Sequence, residues 1–366
     1  MYDIIIIGGG LAGLVSSIQL SKGGKKVLLI EKKKYPFHRV CGEYISNETR
    51  PFLTSIGLDF EKLEVKEITK FQFTSPSGRV LETNLDLGGF GISRYKIDEE
   101  LYHLAEQHGV EFLLENTVEN VDFQQDKFTV KTAFNTFESK YVIGTFGKRT
   151  KLDATLHRDF FNKRSPYIGV KYHIKTDFPK DLIALHNFKD GYCGISAIED
   201  DKYCLCYLTT RENLKQHGTI AAMERNILWK NPHLQKIFAE SEFLYGKPEV
   251  INEISFAPKT TIENHILMAG DSAGLITPLC GNGMAMAIHG AKLLSDSILQ
   301  NFSDRELVEN IYQKDWKKHL KQRLWIGRNV QKLFGNEVVS EIALTTMKLF
   351  KPLLGAVVKA THGEVF

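Results

Sequence analysis

The chain's first chemistry lies in a glycine cluster and the acid that follows it. Gly8, Gly10 and Gly13 stand at G-x-G-x-x-G spacing directly behind the apolar run Ile4, Ile5, Ile6, Ile7, with Leu11 and Ala12 inside the motif. Glu31 follows 18 residues after Gly13, and Lys32 stands beside it. In such a pattern one glycine makes a tight turn, one lets a pyrophosphate reach the backbone, and one lets helix and strand pack closely. The carboxylate then accepts from a ribose hydroxyl. With no arginine nearby, Glu31 suits an unphosphorylated ribose. The chain is therefore expected to bind a dinucleotide such as FAD or NAD.

A second constellation decides between the two. Gly270-Asp271-Ser272-Ala273-Gly274 follows an apolar stretch at 266–269, and Gly281, Asn282, Gly283 and Met284 open a helical pattern. Peptide N–H groups at a helix start carry roughly half a unit of positive charge, which would stabilise negative charge on a reduced flavin. Val40-Cys41-Gly42-Glu43 supplies two candidate catalytic groups. An unperturbed thiol, with a pKa of about 8.5, is mostly neutral at pH 7 and can donate a proton. Glu43 and His38 could also transfer protons.

Together, the glycine fingerprint, the distant Gly270-Asp271 pair and the order of elements resemble the FAD-dependent oxidoreductases of the geranylgeranyl reductase and para-hydroxybenzoate hydroxylase superfamily. The resemblance spans most of residues 1–300. It implies FAD, with Asp271 near the ribityl chain, residues 281–284 near the isoalloxazine, and Arg94 of Ser93-Arg94-Tyr95 along the flavin. The Gly270–Gly274 text and Val40-Cys41-Gly42-Glu43 look more like the reductases than the hydroxylases. Gly144-Thr-Phe-Gly147 stands where hydroxylases carry an aspartate, which is missing here. Trp229, Trp316 and Trp325 do not form the Trp-x-Trp-x-x-Pro segment of flavin halogenases.

Around these residues the pattern predicts a strand at 2–7, a helix at 11–20 and a strand at 26–31, a β-α-β unit of about 30 residues. A hairpin is expected over 68–92, broken at Ser75-Pro76-Ser77-Gly78. A helix at 98–108, strands at 110–114, 118–123, 127–133 and 137–144, and a strand-rich stretch over 167–210 follow. The fold class is thus α/β: a Rossmann-type FAD-binding domain with a parallel sheet, an antiparallel substrate-domain sheet, and C-terminal helices. The expected division is 1–66, 93–160 and 257–300 for the FAD domain, 67–92 and 161–256 for the substrate domain, and 301–366 for the helices. In the last segment Tyr312, Trp316, Leu320 and Leu324 fall on one face, continued by Leu333 and Phe334.

Composition narrows the remaining options. A formal charge of +3 over 366 residues is too small to point to nucleic acid, and its excess is C-terminal: residues 301–366 hold 11 basic and 7 acidic side chains. Five cysteines without a CxxC pair argue against a disulfide framework and a metal site, and fit a reducing cytoplasm. No stretch reaches the ~18 apolar residues of a spanning helix; residues 342–358 are at most a surface-lying segment, with packing against the FAD domain the better reading. Gly88-Gly89-Phe90-Gly91 is no second nucleotide fingerprint, so electrons would come from transient NADPH or NADH, or from a donor protein. The expected substrate is small and apolar or aromatic, under a sheet bearing Phe71, Phe73, Phe90, Tyr172, Tyr192 and Tyr207. The favoured reaction is reduction of an unsaturated isoprenoid or polyketide-like chain; the alternative is hydroxylation of an aromatic or polyketide substrate by an NAD(P)H-dependent flavin monooxygenase, and a third reading is flavin binding without turnover.

Overall fold

A computed structural model describes residues 1–277, 281–331, 340–342, 344–346 and 363–366 of the chain. Cys280, Leu333, Phe334 and most of the stretch 342–358 lie outside the described residues.

Four consecutive isoleucines make a strand that needs cover on both faces, so it can sit only in the middle of a parallel sheet. Tyr2–Ile7 does so, pairing in parallel with Val27–Glu31 on one side and Thr136–Gly144 on the other, with Ile4 opposite Val27 and Tyr141. Glu111–Leu114 and Ile266–Met268 extend the parallel order outward. The hairpin Val118–Gln124 and Lys127–Thr132 joins Thr136–Gly144 antiparallel. The helix Leu11–Lys22, with Leu14, Val15 and Ile18 fully buried, packs against both Arg94–Gln107 and Gly283–Asn301. Arg94–Gln107 starts earlier than its apolar periodicity suggests, because the Ser93 hydroxyl accepts from the Lys96 N–H and caps it.

The second sheet runs Glu242–Phe243, Tyr167–Lys175, Tyr203–Thr210, Gly191–Ala197, Leu182–Phe188, Lys66–Thr74, Val80–Gly91, Tyr44–Ser46, with Glu249–Asn252 also on Tyr167–Lys175. Two details depart from the sequence reading. Lys66–Thr74 joins Leu182–Phe188 in parallel, inside an otherwise antiparallel sheet. Tyr44–Ser46, expected within the first FAD-domain segment, pairs with Val80–Gly91 instead.

Period-two alternation gives this sheet two different faces. One carries Val170, Tyr172, Leu205 and Tyr207 onto the helices Arg211–His217, Ile220–Asn226 and Pro232–Glu240, a cover the sequence reading did not anticipate, where Met223, Leu228 and Leu234 complete a second core. The other carries Lys171 opposite Cys206 and His173 opposite Cys204, towards the first sheet. The C-terminal face forms as its spacing implies: Tyr312, Trp316, Leu320 and Leu324 are all buried in the core of the first sheet, and the Tyr312 hydroxyl donates to the Met268 carbonyl.

One buried ion pair ties the Asp271 segment to the body of the fold. Arg158, 4% exposed, donates to Asp153 Oδ1 at 2.9 Å, to the Ser272 carbonyl at 2.9 Å and to the Thr260 carbonyl at 3.1 Å. Arg158→Met leaves the Asp153 carboxylate buried without its partner, so urea denaturation is expected to show a loss of about 3–5 kcal/mol. Adding Asp153→Asn to the same chain should recover part of that loss.

Candidate active site

The site sits where the first sheet's connections diverge, at the carboxyl end of Tyr2–Ile7, the switch point at which open α/β sheets bind ligands. Gly8 has φ +105°, and a Cβ there would lie 2.5 Å from the Thr145 carbonyl oxygen. A Cβ on Gly13 would lie 2.1 Å from the Gly8 carbonyl oxygen, so only glycine lets the helix start this close to the strand. Gly10 ends the turn with open space before it, Arg94 Nη2 being the nearest atom to a Cβ there at 3.9 Å. Glu31 is buried, accepting from the Gly9 N–H at 2.7 Å and the Lys33 N–H at 3.1 Å. The expectation of no arginine near Glu31 is corrected: the loop after it folds back and puts Arg39 Nη2 3.7 Å from Glu31 Oε2, while Arg39 also donates to Asp98 and the Gly9 carbonyl.

A cavity of about 690 Å³ opens from this turn. Gly8, Gly10, Leu11, Ala12, Glu31 and Lys32 line it, as do Arg94, Gly270, Asp271, Gly281, Gly283 and Met284. Gly13 and Asn282 lie behind the wall: Gly13 under the strand, and Asn282 as the fully buried N-cap whose carbonyl accepts from the Met286 N–H. Arg94 is held by two bonds to Asp98, at 2.8 and 2.7 Å. Burial pushes the Asp271 carboxyl up, opposed by Lys259, Arg94 and Lys148. Burial likewise pulls the ammonium groups of Lys148 and Lys259 down to about 8. The open glycine turn, two helix N-termini, a buried carboxylate and these cations form a cradle suited to an anionic flavin dinucleotide.

Between the cavity and the second sheet runs the loop bearing Cys41 and Glu43. The sheet holds its carbonyls in turn: Lys171 Nζ donates to Arg39 O at 3.1 Å, Cys204 Sγ to Cys41 O at 3.2 Å, and Ser196 Oγ to Gly42 O at 3.3 Å. Glu43, at φ 54° and 0% exposed, accepts from Lys171 Nζ at 2.5 Å and the Arg94 N–H at 2.8 Å, and its second oxygen lies 2.6 Å from His173 Nε2. Burial alone would raise this carboxyl; Lys171 and His173 more than offset it and bring it down to about 2. Glu43 is thus a carboxylate at rest. Cys41 lines the cavity, and burial pushes its thiol up, so it stays protonated. Glu43, His173 and Cys204 also lie within metal-ligand reach of one another, within 4.8 Å, but the Lys171 ammonium already neutralises the carboxylate.

Lys171 and His173 were not singled out by sequence, and a place at the cavity was not foreseen for Cys206, which lines it. The available signal was a lysine and a histidine alternating inside an apolar strand, Tyr167–Lys175. Of the expected aromatic wall, Phe71, Phe73, Tyr192 and Tyr207 line the cavity, joined by Leu185, Leu208 and Ile254. Tyr172 turns its hydroxyl to Glu224 on the opposite face, as Tyr207 does with its own while still bordering the cavity, and Phe90 is buried in the first core.

The family described as FAD binding domain matches residues 1–307. The chain is 25% identical over 357 residues to conditioned medium factor receptor 1 of Dictyostelium discoideum, covering 86% of this chain and 67% of that protein. It is 24% identical over 372 residues to digeranylgeranylglycerophospholipid reductase of Methanococcus vannielii, covering 92% and 88%. In fold it is similar to the flavin-dependent brominase Bmp2, with a TM-score of 0.78 at 19% identity over 97% of this chain and 93% of that one.

Two outcomes follow from the geometry. Gly13→Val forces the helix off the Gly8 carbonyl, and FAD affinity, read by titrating the visible absorbance, should fall roughly 5- to 150-fold, the equivalent of the ~1–3 kcal/mol cost of overpacking. The Glu43 carboxyl is depressed below its usual 4.5, so its stabilisation is fully present above that pH and is lost as the pH falls through about 2. The advantage of the native chain over Glu43→Gln should therefore be on the order of 3 kcal/mol at pH 7 and narrow between about pH 4.5 and 2, as read from urea unfolding midpoints.

Proposed function

The chain belongs to the FAD binding domain family and is an FAD-dependent oxidoreductase, and from that premise we propose that it reduces carbon–carbon double bonds in an apolar, isoprenoid-like or polyketide-like chain. The carrying observation is the wall of Phe71, Phe73, Leu185, Tyr192, Leu208 and Ile254, continuous with the cofactor cradle in one cavity. Such a wall rewards an apolar chain with roughly 25 cal/mol per Å² buried and offers little to a charged one. The similarity to a digeranylgeranylglycerophospholipid reductase over 92% of the chain supports the same substrate class.

FAD, when bound, supplies two electrons. The glycine turn at Gly8 and Gly10 and the start of Leu11–Lys22 hold its pyrophosphate, Glu31 its ribose, and Asp271 and residues 281–284 its flavin end. Arg94 is stiffened along that end by Asp98. The second sheet roofs the site and excludes water. Cys41 is the proton donor: its thiol is neutral, the residue lines the cavity, and it sits on a loop whose carbonyls the second sheet fixes. Glu43 positions that loop. NADPH or NADH binds transiently as electron donor.

The test is anaerobic incubation of the FAD-loaded protein with NADPH, NADH or dithionite and a geranylgeranyl lipid, followed by mass spectrometry. A gain of two hydrogens per double bond is expected. Addition of one oxygen atom in a parallel aerobic incubation would replace this reading with a monooxygenase. Cys41→Ala should keep its FAD but lose about 10²-fold in turnover, the usual worth of a positioned general acid.

A further inference from the structure

We infer that His38, Tyr245 and His173 form a proton relay from the protein surface to Glu43 at the cavity wall. Tyr245 Oη lies 3.0 Å from His38 Nδ1 and 2.6 Å from His173 Nδ1, and His173 Nε2 lies 2.6 Å from Glu43 Oε2. His38 and Tyr245 are half-buried, whereas His173 and Glu43 are buried, so the array runs from partial solvent contact to the inside. Glu43 also lines the cavity, which gives the array an inner end.

The order of donors gives the array a direction. The carboxylate of Glu43 accepts only, so His173 must present Nε2–H to it, which leaves Nδ1 free to accept the Tyr245 proton. Tyr245, having donated its one hydrogen, accepts from His38 Nδ1–H. Moving each proton one bond inward takes one proton from His38 to Glu43 Oε2, breaking and making N–H and O–H bonds in equal number and moving no electrons. Solvent protonates His38 Nε2 as its Nδ1–H leaves, so His38 stays neutral, and Glu43 returns to its carboxylate by releasing the proton into the cavity it lines. Burial, with Glu43 second, keeps the Tyr245 hydroxyl protonated, as a relay member must be. Lys171, Glu249 and Glu199 are the other charges that act on this cluster.

The need for such a route follows from the apolar wall beside it. Two-electron reduction of FAD and saturation of a double bond both consume protons, and Phe71, Phe73, Leu185 and Leu208 cannot carry them. The inference rests on the reading of the cavity as a reduction site. Its test uses FAD alone, without an alkene, so the two can fail separately.

FAD-loaded protein is mixed anaerobically with reduced methyl viologen, a proton-free donor. Two viologen radicals and one proton convert one FAD to its anionic reduced form. Flavin bleaching and proton uptake, read by pyranine fluorescence in weak buffer, are followed together. His38→Ala and Tyr245→Phe should both keep their FAD and slow proton uptake about tenfold or more, as loss of a positioned proton carrier does. Added imidazole should restore His38→Ala and leave Tyr245→Phe slow. In the apoprotein, Tyr245→Phe should shift the ¹⁵N resonance of His173 Nδ1. Native rates in both variants, a slow His38→Ala that imidazole does not rescue, or an unmoved His173 resonance would each overturn the relay.

Discussion

The structure depends most on a fully buried ammonium, Lys171, set against a fully buried carboxylate, Glu43. Taking two such charges out of water costs several kcal/mol each, and their attraction repays this only where further hydrogen bonds satisfy both. Here they do. Lys171 also donates to Arg39 O, and Glu43 also receives the Arg94 N–H and faces His173. The pair therefore joins three separate parts of the chain: the loop at 39–43, the helix that begins at Arg94, and the strand Tyr167–Lys175.

That junction sets the geometry of the site. The loop forms part of the cavity wall and carries Cys41, and each carbonyl held by Lys171, Cys204 or Ser196 removes a way for it to swing. Arg94 is tied at its backbone to Glu43 and at its guanidinium to Asp98, so the same interaction that fixes the loop fixes the cation. The cofactor cradle and the apolar chamber thus share a rigid wall, as a reaction between two bound partners requires.

The second sheet serves both sides of the molecule because a strand alternates its side chains. Tyr172 and Tyr207 anchor the outer helices through Glu224, while Lys171, His173, Cys204 and Cys206 face inward. This explains why Tyr172 belongs to the outer core alone while Phe71, Phe73 and Tyr192 reach the cavity. Phe71, Phe73 and Tyr192 line the chamber; their neighbours in sequence do not. Composition cannot show that division, since it depends on which face of each strand meets the first sheet.

The sequence by itself determined the glycine turn and the acid that open the cavity at the end of the first strand. The run Ile4–Ile7, the glycines at 8, 10 and 13 and the acid at Glu31 are close in the chain, and their tasks are local: a turn, a close approach and a hydrogen bond across one β-α-β unit. The Gly270-Asp271 segment was legible for the same reason, its strand and the following helix start lying side by side in the chain. Only the tertiary structure decided what stands behind Cys41 and Glu43. Lys171 and His173 lie about 130 residues from Glu43, and Tyr245 lies 72 residues beyond His173. Arg39 reached Glu31 by a loop that folds back, and Cys206 reached the cavity by strand register. Such partners are brought together by the pairing of strands distant in the chain, and their roles follow from burial and charge that exist only once the two sheets have closed.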